Sequence, residues 1–157
     1  MDQNLKSYLE KHNIEYKIYK HPAVFTVEES KKIKIKIPGI HTKCLFLKDE
    51  NKQFYLIVLP GEKRLNTKEL KQKLNIKELN FANQEELKQH LNITPGSVSI
   101  FCMIYANKIF LIIDKELWQA NKVGFHPNIN TATIVIDHHN LEKFYNTINS
   151  EKEIITL

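Results

Sequence analysis

Two neighbouring stretches of apolar residues predict a pair of β-strands near the middle of the chain. After the Pro38-Gly39 turn, residues 40–47 have the composition of a strand, in which successive side chains point to opposite faces. Residues 54–59 are apolar throughout, which predicts a buried strand in a hairpin with the first. The alternation in the first strand gives one face Thr42, Cys44 and Phe46, and the other face His41, Lys43, Leu45 and Leu47.

Helices are predicted where apolar residues recur on one face behind a capping residue. Further strands are predicted at 14–19, at 79–81 and at 131–136, and residues 98–105 and 108–113 are predicted to form another hairpin. The predicted helices are one capped by Asp2, 26–34 with a Thr26/Glu29 capping box, 67–74, 84–91, a short one capped by Asp114, and a closing one capped by Asp137.

This order of elements mixes hairpins with helices. It predicts a single α/β domain over residues 1–157, with a mixed and partly barrel-like β-sheet flanked by helices, in place of a doubly wound parallel sheet. A chain of 157 residues that is 42% hydrophobic and 26% charged has the composition of one soluble domain.

The composition narrows the classes of function. No apolar run approaches the ~20 residues of a membrane span, and the N-terminal residues lack signal-peptide character, so we expect a cytoplasmic protein without membrane contact. The two cysteines lie in apolar runs and are expected to be buried free thiols. The net charge of +5 mildly favours anionic partners.

Lys43 is unusual because it shares its face with two leucines and a histidine. Such a lysine either binds a phosphate from a partly desolvated position or extends its ammonium from the strand end into water. A second group of cations precedes it and predicts either a solvated helix face or a contact with an RNA backbone. This group consists of Lys31, Lys32, Lys34 and Lys36.

Other kinds of site find little support. The four glycines form no phosphate-binding loop, and the histidines and cysteines lack the spacing of a zinc motif, so neither a metal nor a cofactor is expected. A thiol hydrolase would need Cys44 or Cys102 beside a histidine, although either cysteine also fits a plain core position. A site around Lys43 and His126 would have to act by positioning its substrate.

Four segments occur in the order and spacing of one family, and a fifth, at 21–29, supports the match. The chain resembles the YbaK/prolyl-tRNA-synthetase-insertion family of aminoacyl-tRNA deacylases over almost its whole length. Within that family it is most similar to the free-standing ProXp-ala or PrdX branch, which removes mischarged alanine from proline tRNA. The four segments are HTKCLFL (41–47), VLPGEKRL (58–65), PGSV (95–98) and FHPNINTAT (125–133).

The resemblance implies a trans-editing deacylase that hydrolyses the ester between a wrong amino acid and the 3′ end of a tRNA. Lys43 matches the essential lysine of the family, and His126 matches the histidine that holds the acceptor end. Attack by water, assisted by a ribose hydroxyl, would need no metal. The implied partner is proline tRNA, with prolyl-tRNA synthetase as a further candidate partner. The implied substrate pocket comprises Phe25, Thr26, Cys44, Leu45, Ser99, Ile100, Cys102 and Asn130.

Three positions depart from the family pattern. Cys44 stands where the family usually has asparagine, Cys102 where it usually has glycine, and Ile100 where proline is common. Loss of the amide removes hydrogen-bonding capacity, and a side chain at 102 narrows the cavity. The sequence therefore also allows a deacylase with specificity shifted to cysteine or serine. A further alternative is a weakened relative that binds tRNA or a synthetase without cleavage.

Overall fold

The structure is a computed structural model that describes residues 1–23, 27–34 and 36–157. Phe25, Thr26 and the side chain of Lys34, which the sequence analysis had singled out, lie outside this part. The helices are α1 (Gln3–Lys11), α2 (Val27–Lys34), α3 (Thr67–Leu74), α4 (Gln84–Leu91), α5 (Lys115–Trp118), α6 (His138–Thr147) and a 3₁₀ helix (Ile100–Tyr105). The strands are β1 (Lys17–Lys20), β2 (Ile40–Asp49), β3 (Phe54–Pro60), β4 (Leu79–Phe81), β5 (Ile109–Asp114), β6 (Lys122–Phe125), β7 (Ala132–Asp137) and β8 (Lys152–Ile155).

The strands of the described residues form one eight-stranded mixed sheet in the order β1-β7-β6-β2-β3-β5-β8, with β4 paired to β2. The sheet is open, because its path ends at β1 and β8. Parallel pairs join β2 to β6, β3 to β5 and β5 to β8, and the other pairs are antiparallel. The predicted α/β architecture with a mixed sheet and flanking helices is confirmed.

Two clusters of buried side chains cover the two faces of this sheet. The main core packs one face against α1, α4, α6 and the 3₁₀ helix, and it includes the fully buried Phe101 and Phe144. A smaller cluster lies on the other face, where Leu70 of α3 covers Ile57 and Leu59 of β3. The part of this second face that lies on β6 and β2 carries polar side chains.

The predicted hairpin of residues 98–105 and 108–113 is wrong. Residues 100–105 form the 3₁₀ helix, and β5 pairs in parallel with β3. A short apolar run does not distinguish a buried strand from a buried helix. Here Ser99 decides the outcome, because its hydroxyl accepts a hydrogen bond from the backbone N–H of Phe101 at 3.1 Å and caps the helix.

Gly39 sets the position where β2 begins, beside the start of β6. Its φ is +89°, and an added Cβ would lie 2.8 Å from the carbonyl oxygen of Lys122. We therefore expect Gly39→Ala to lower the free energy of unfolding by about 2–3 kcal/mol, measured by urea denaturation. Gly96→Ala is the matched control, since φ is +87° there and nothing lies within 4 Å of the added Cβ. Equal losses in the two variants would contradict a role for the clash.

No helix among residues 1–23, 27–34 and 36–157 combines the length and the apolar character that crossing a bilayer requires.

Candidate functional site

Lys43 and His126 approach the same side of the sheet along two neighbouring parallel strands. His41 of β2 is in register with Gly124 of β6, so Lys43 and His126 each lie two residues further along. Phe125 packs in the main core, which directs Gly124 to the opposite face, and His126 follows at the next alternating position, directly after the end of β6. We call this polar surface, formed by His41, Lys43, Gly124 and His126, the site face.

Gly124 lets the neighbouring strands bring their side chains close together on the site face. A Cβ at this position would lie 3.2 Å from Cγ2 of Thr133 and 3.6 Å from Nδ1 of His41. Thr133 is buried on β7, and its hydroxyl lies 3.0 Å from Nε2 of His21. The face of the sheet that carries the site face therefore continues from β2 across β6 and β7 to the segment that follows β1.

The hydrogen bonds of the histidines indicate their tautomers. Nδ1 of His126 lies 3.3 Å from the carbonyl oxygen of Ala132, and Nε2 of His41 lies 3.4 Å from that of Ile37. Because a carbonyl oxygen only accepts, each of these ring nitrogens carries a proton. In the neutral ring of His126, Nε2 therefore has the lone pair and is the nitrogen that can accept a proton.

Lys43 is a half-buried residue, and its ammonium is the cation of the site face. Across the described residues it makes no ion pair and no hydrogen bond. A partly desolvated cation without a partner is unfavourable, and an anionic ligand removes this penalty. A phosphate group has the charge and the acceptor atoms that a lysine ammonium binds as a compact cation.

The two cysteines lie on the other side of β2 from Lys43. Cys44 packs against the main core, close to the backbone of Ile100. Burial raises the pKa of the Cys44 thiol well above its usual value, and the nearby Cys102 contributes in the same direction. Burial also raises the pKa of Cys102 to about 11, so both thiols are protonated at neutral pH.

A buried amide connects the loop after β6 to the 3₁₀ helix. Oδ1 of Asn128 accepts hydrogen bonds from the hydroxyl of Ser99 at 3.1 Å and from the thiol of Cys102 at 3.3 Å. Its Nδ2 donates to the carboxylate of Asp2 at 3.4 Å. Asn128 thereby holds the loop that carries His126. Sequence reasoning missed this residue, although asparagine after proline in a turn, here with φ of 62°, was a usable signal.

The predicted site residues therefore fall into separate groups. Lys43 and His126 share the site face with Leu45, which packs into the smaller core cluster. Ser99, Ile100, Cys102 and Cys44 form a group on the core side of β2. Asn130 is half-buried in the loop after β6, whereas Lys31, Lys32 and Lys36 are exposed. Over the described part of the chain, no three His, Cys, Asp or Glu side chains are grouped as metal ligands.

Comparison with protein families gives one match that covers most of the chain. The model of the aminoacyl-tRNA editing domain matches residues 21–144. This range begins at the residue after β1 and extends into α6, so it includes both strands that form the site face.

Two curated relatives span similar lengths. The prolyl-tRNA editing protein ProX of Acetoanaerobium sticklandii is 34% identical over 138 residues, which cover 86% of this chain and 84% of ProX. The prolyl-tRNA synthetase associated domain-containing protein 1 of Danio rerio is 30% identical over 146 residues, which cover 90% of this chain and 79% of that protein.

Solved structures share the fold at lower sequence identity. The hypothetical protein APE2540 superimposes with a TM-score of 0.78 at 18% identity, and the match covers 98% of each chain. A protein described as a candidate trans-editing enzyme for prolyl-tRNA synthetase gives a TM-score of 0.74 at 17% identity. That match covers 100% of this chain and 99% of the other.

Proposed function

We propose, since the chain belongs to the family of aminoacyl-tRNA editing domains, that it hydrolyses the ester between a wrongly attached amino acid and the 3′ end of a tRNA. One relative is named a prolyl-tRNA editing protein and others are named for prolyl-tRNA synthetase. We therefore assign proline tRNA as the substrate, and we propose alanine as the amino acid that is removed because the sequence resembles the branch that clears alanine. The enzyme would act in trans to prolyl-tRNA synthetase.

The observation that carries this proposal is the unpartnered charge of Lys43. Its ammonium makes no ion pair with any described residue, and it lies on the same face as His126. In the proposed complex, Lys43 binds the terminal phosphate or the adenosine, and His126 holds the acceptor end. Phosphate is present in every tRNA end, so this contact would position the ester whatever amino acid is attached.

The nucleophile in the proposed reaction is water. Both thiols have raised pKa values and lie on the core side of β2, which makes them poor nucleophiles at neutral pH. In our proposal a hydroxyl of the terminal ribose assists the attacking water, and backbone N–H groups stabilise the oxyanion. The water adds to the ester carbonyl, and the ribose oxygen leaves with a proton, which releases the free amino acid and the tRNA.

The need for such an enzyme follows from the size of the amino acids. A synthetase site that fits proline rejects the smaller alanine by only ~1–3 kcal/mol, because few contacts distinguish them. A second pocket that is too small for proline then removes the error. Cys102 and Cys44 lie beside Ile100 on the core side of β2, opposite the site face, so a change of specificity towards cysteine or serine through these positions would act by altering the packing of β2.

Release of amino acids from charged proline tRNA tests the proposal directly. The purified protein is incubated with proline tRNA charged separately with alanine, cysteine, serine or proline, and deacylation is compared with the rate in buffer. We expect rapid loss of alanine and no loss of proline. Binding of tRNA without release of any of the four would instead support the binding-module alternative.

Substitution of the thiols distinguishes this mechanism from a thiol hydrolase. We expect Cys44→Ser and Cys102→Ser to lower the deacylation rate by less than about tenfold, because neither sulfur is the nucleophile. The rate should likewise survive treatment with iodoacetamide at neutral pH, since both raised pKa values keep the thiols protonated. Complete loss of activity in Cys44→Ser, with an unchanged melting temperature, would contradict attack by water.

A further inference from the structure

A concave surface lies between α1, β1 and the loop that follows His126. It is a groove of about 510 Å³, and none of the described residues that line it is acidic. Tyr16 directly precedes β1, Ile18 lies on β1 and Ile129 lies in the loop, and all three are half-buried. The exposed Lys6 of α1 and Lys20 of β1 also line the groove. The groove therefore combines an aromatic ring and apolar walls with two cations.

The ring of Tyr16 is neutral in this setting. Burial raises the pKa of its phenol, and the carboxylate of Glu10 acts in the same direction. Glu10 is not part of the groove lining. An uncharged aromatic ring can stack against a base of any type, because every base has a π-face.

The groove adjoins the site face through the loop between β6 and β7. The carbonyl oxygen of Ala132, which lines the groove, accepts the hydrogen bond from Nδ1 of His126 at 3.3 Å. The carbonyl oxygen of the neighbouring Thr131 accepts a hydrogen bond from the backbone N–H of His21 at 2.9 Å. Ile18 pairs with Ile134 of the main core, so the groove lies on the core side of the β1 edge of the sheet, and the β6–β7 loop is the segment that connects it with the site face.

We propose that this groove binds the single-stranded nucleotides that precede the terminal adenosine of the tRNA. Bases would contact Tyr16 and Ile18, and phosphates would lie near Lys6 and Lys20. Single-strand sites combine stacking on aromatic rings with cations that follow the backbone, and both are present here. The proposal rests on the proposed function for the identity of the RNA, since the site face would hold the last nucleotide of the same strand.

Two groove variants test the proposal. One is the double variant Lys6→Gln/Lys20→Gln, and the other is the single variant Tyr16→Ala. The matched control is Lys11→Gln/Lys17→Gln, which removes the same charge from the same helix and strand at exposed positions outside the groove lining. Each protein is assayed on proline tRNA charged with alanine and on alanyl-adenosine, which lacks the preceding nucleotides. Binding of a short single-stranded RNA ending in CCA is measured by fluorescence anisotropy at several salt concentrations.

We expect the groove variants to raise KM for the charged tRNA about tenfold over the control and to leave hydrolysis of alanyl-adenosine unchanged. In the double lysine variant, the slope of log Kd for the RNA against log salt should decrease by about 1.4, because two phosphate contacts are lost. Equal KM values in the groove and control variants would overturn the proposal, as would equal losses on both substrates. If the wild-type protein releases no amino acid, the proposed function fails, and RNA binding still decides whether the groove is an RNA site.

Discussion

Replacement of Lys43 by alanine is expected to lower the rate of deacylation by about 100- to 1000-fold, the usual effect of removing one group that stabilises or positions a reacting charge. Lys43 is half-buried, and its ammonium has no ion-pair partner among the described residues, so it can pair with an anionic substrate without first breaking another ion pair. Single-turnover release of alanine from proline tRNA measures this effect and separates it from tRNA binding.

The stability of the Lys43→Ala variant is the internal control. We expect its melting temperature to equal that of the wild-type protein, because the substitution breaks no ion pair with any of the described residues. Lys68→Ala on α3 removes an exposed cation and should change neither activity nor stability. Activity that persists in Lys43→Ala would show that the site face is not the catalytic site.

Phe101→Ala is expected to have the largest effect on stability, a loss of about 3–5 kcal/mol in the free energy of unfolding. The ring of Phe101 is fully buried, and its centroid lies 5.4 Å from that of Phe125 and 5.1 Å from that of Phe144, edge to face in both pairs. Its removal leaves a cavity between the 3₁₀ helix, the end of β6 and α6. Urea denaturation followed by circular dichroism measures the change.

The effect should extend to activity, because Phe125 directly precedes His126 in the chain. We expect the Phe101→Ala variant to deacylate more slowly even at temperatures where it remains folded. Phe81→Ala is the matched control, since this phenylalanine is 69% exposed on β4 and its loss should leave stability unchanged. Similar denaturation midpoints for Phe101→Ala and Phe81→Ala would contradict the packing argument.

Elements with strong local signals were predicted correctly from the sequence. The helix at 67–74 has Asn66 as its cap, and the helix at 84–91 has a capping box formed by Asn83 and Glu86. The hairpin of β2 and β3 was also predicted, because an alternating strand and a wholly apolar strand follow each other across a short polar turn. In each case the residues that decide the structure are close together in sequence.

Elements that depend on distant partners were missed or predicted wrongly. The sequence predicted neither β6, which lies between β2 and β7, nor β8. Both strands have four residues and pair with strands that are distant in sequence, β6 with β2 and β8 with β5. Whether such a short segment pairs as a strand depends on the neighbouring strands available in the folded sheet, and no local sequence pattern shows this.

Among the site residues, the sequence alone identified Lys43 and His126 as the chemically unusual positions, and their catalytic roles stay a prediction. The alternation along β2 was also sufficient to separate the face of Lys43 from the face of Cys44. Only the tertiary structure decided the parallel register of His41 with Gly124, which places Lys43 and His126 at neighbouring positions. It also decided that Asn128 connects the loop of His126 to the 3₁₀ helix. The physical reason is that side-chain direction within a strand follows from covalent geometry, whereas register between strands distant in sequence depends on packing throughout the fold.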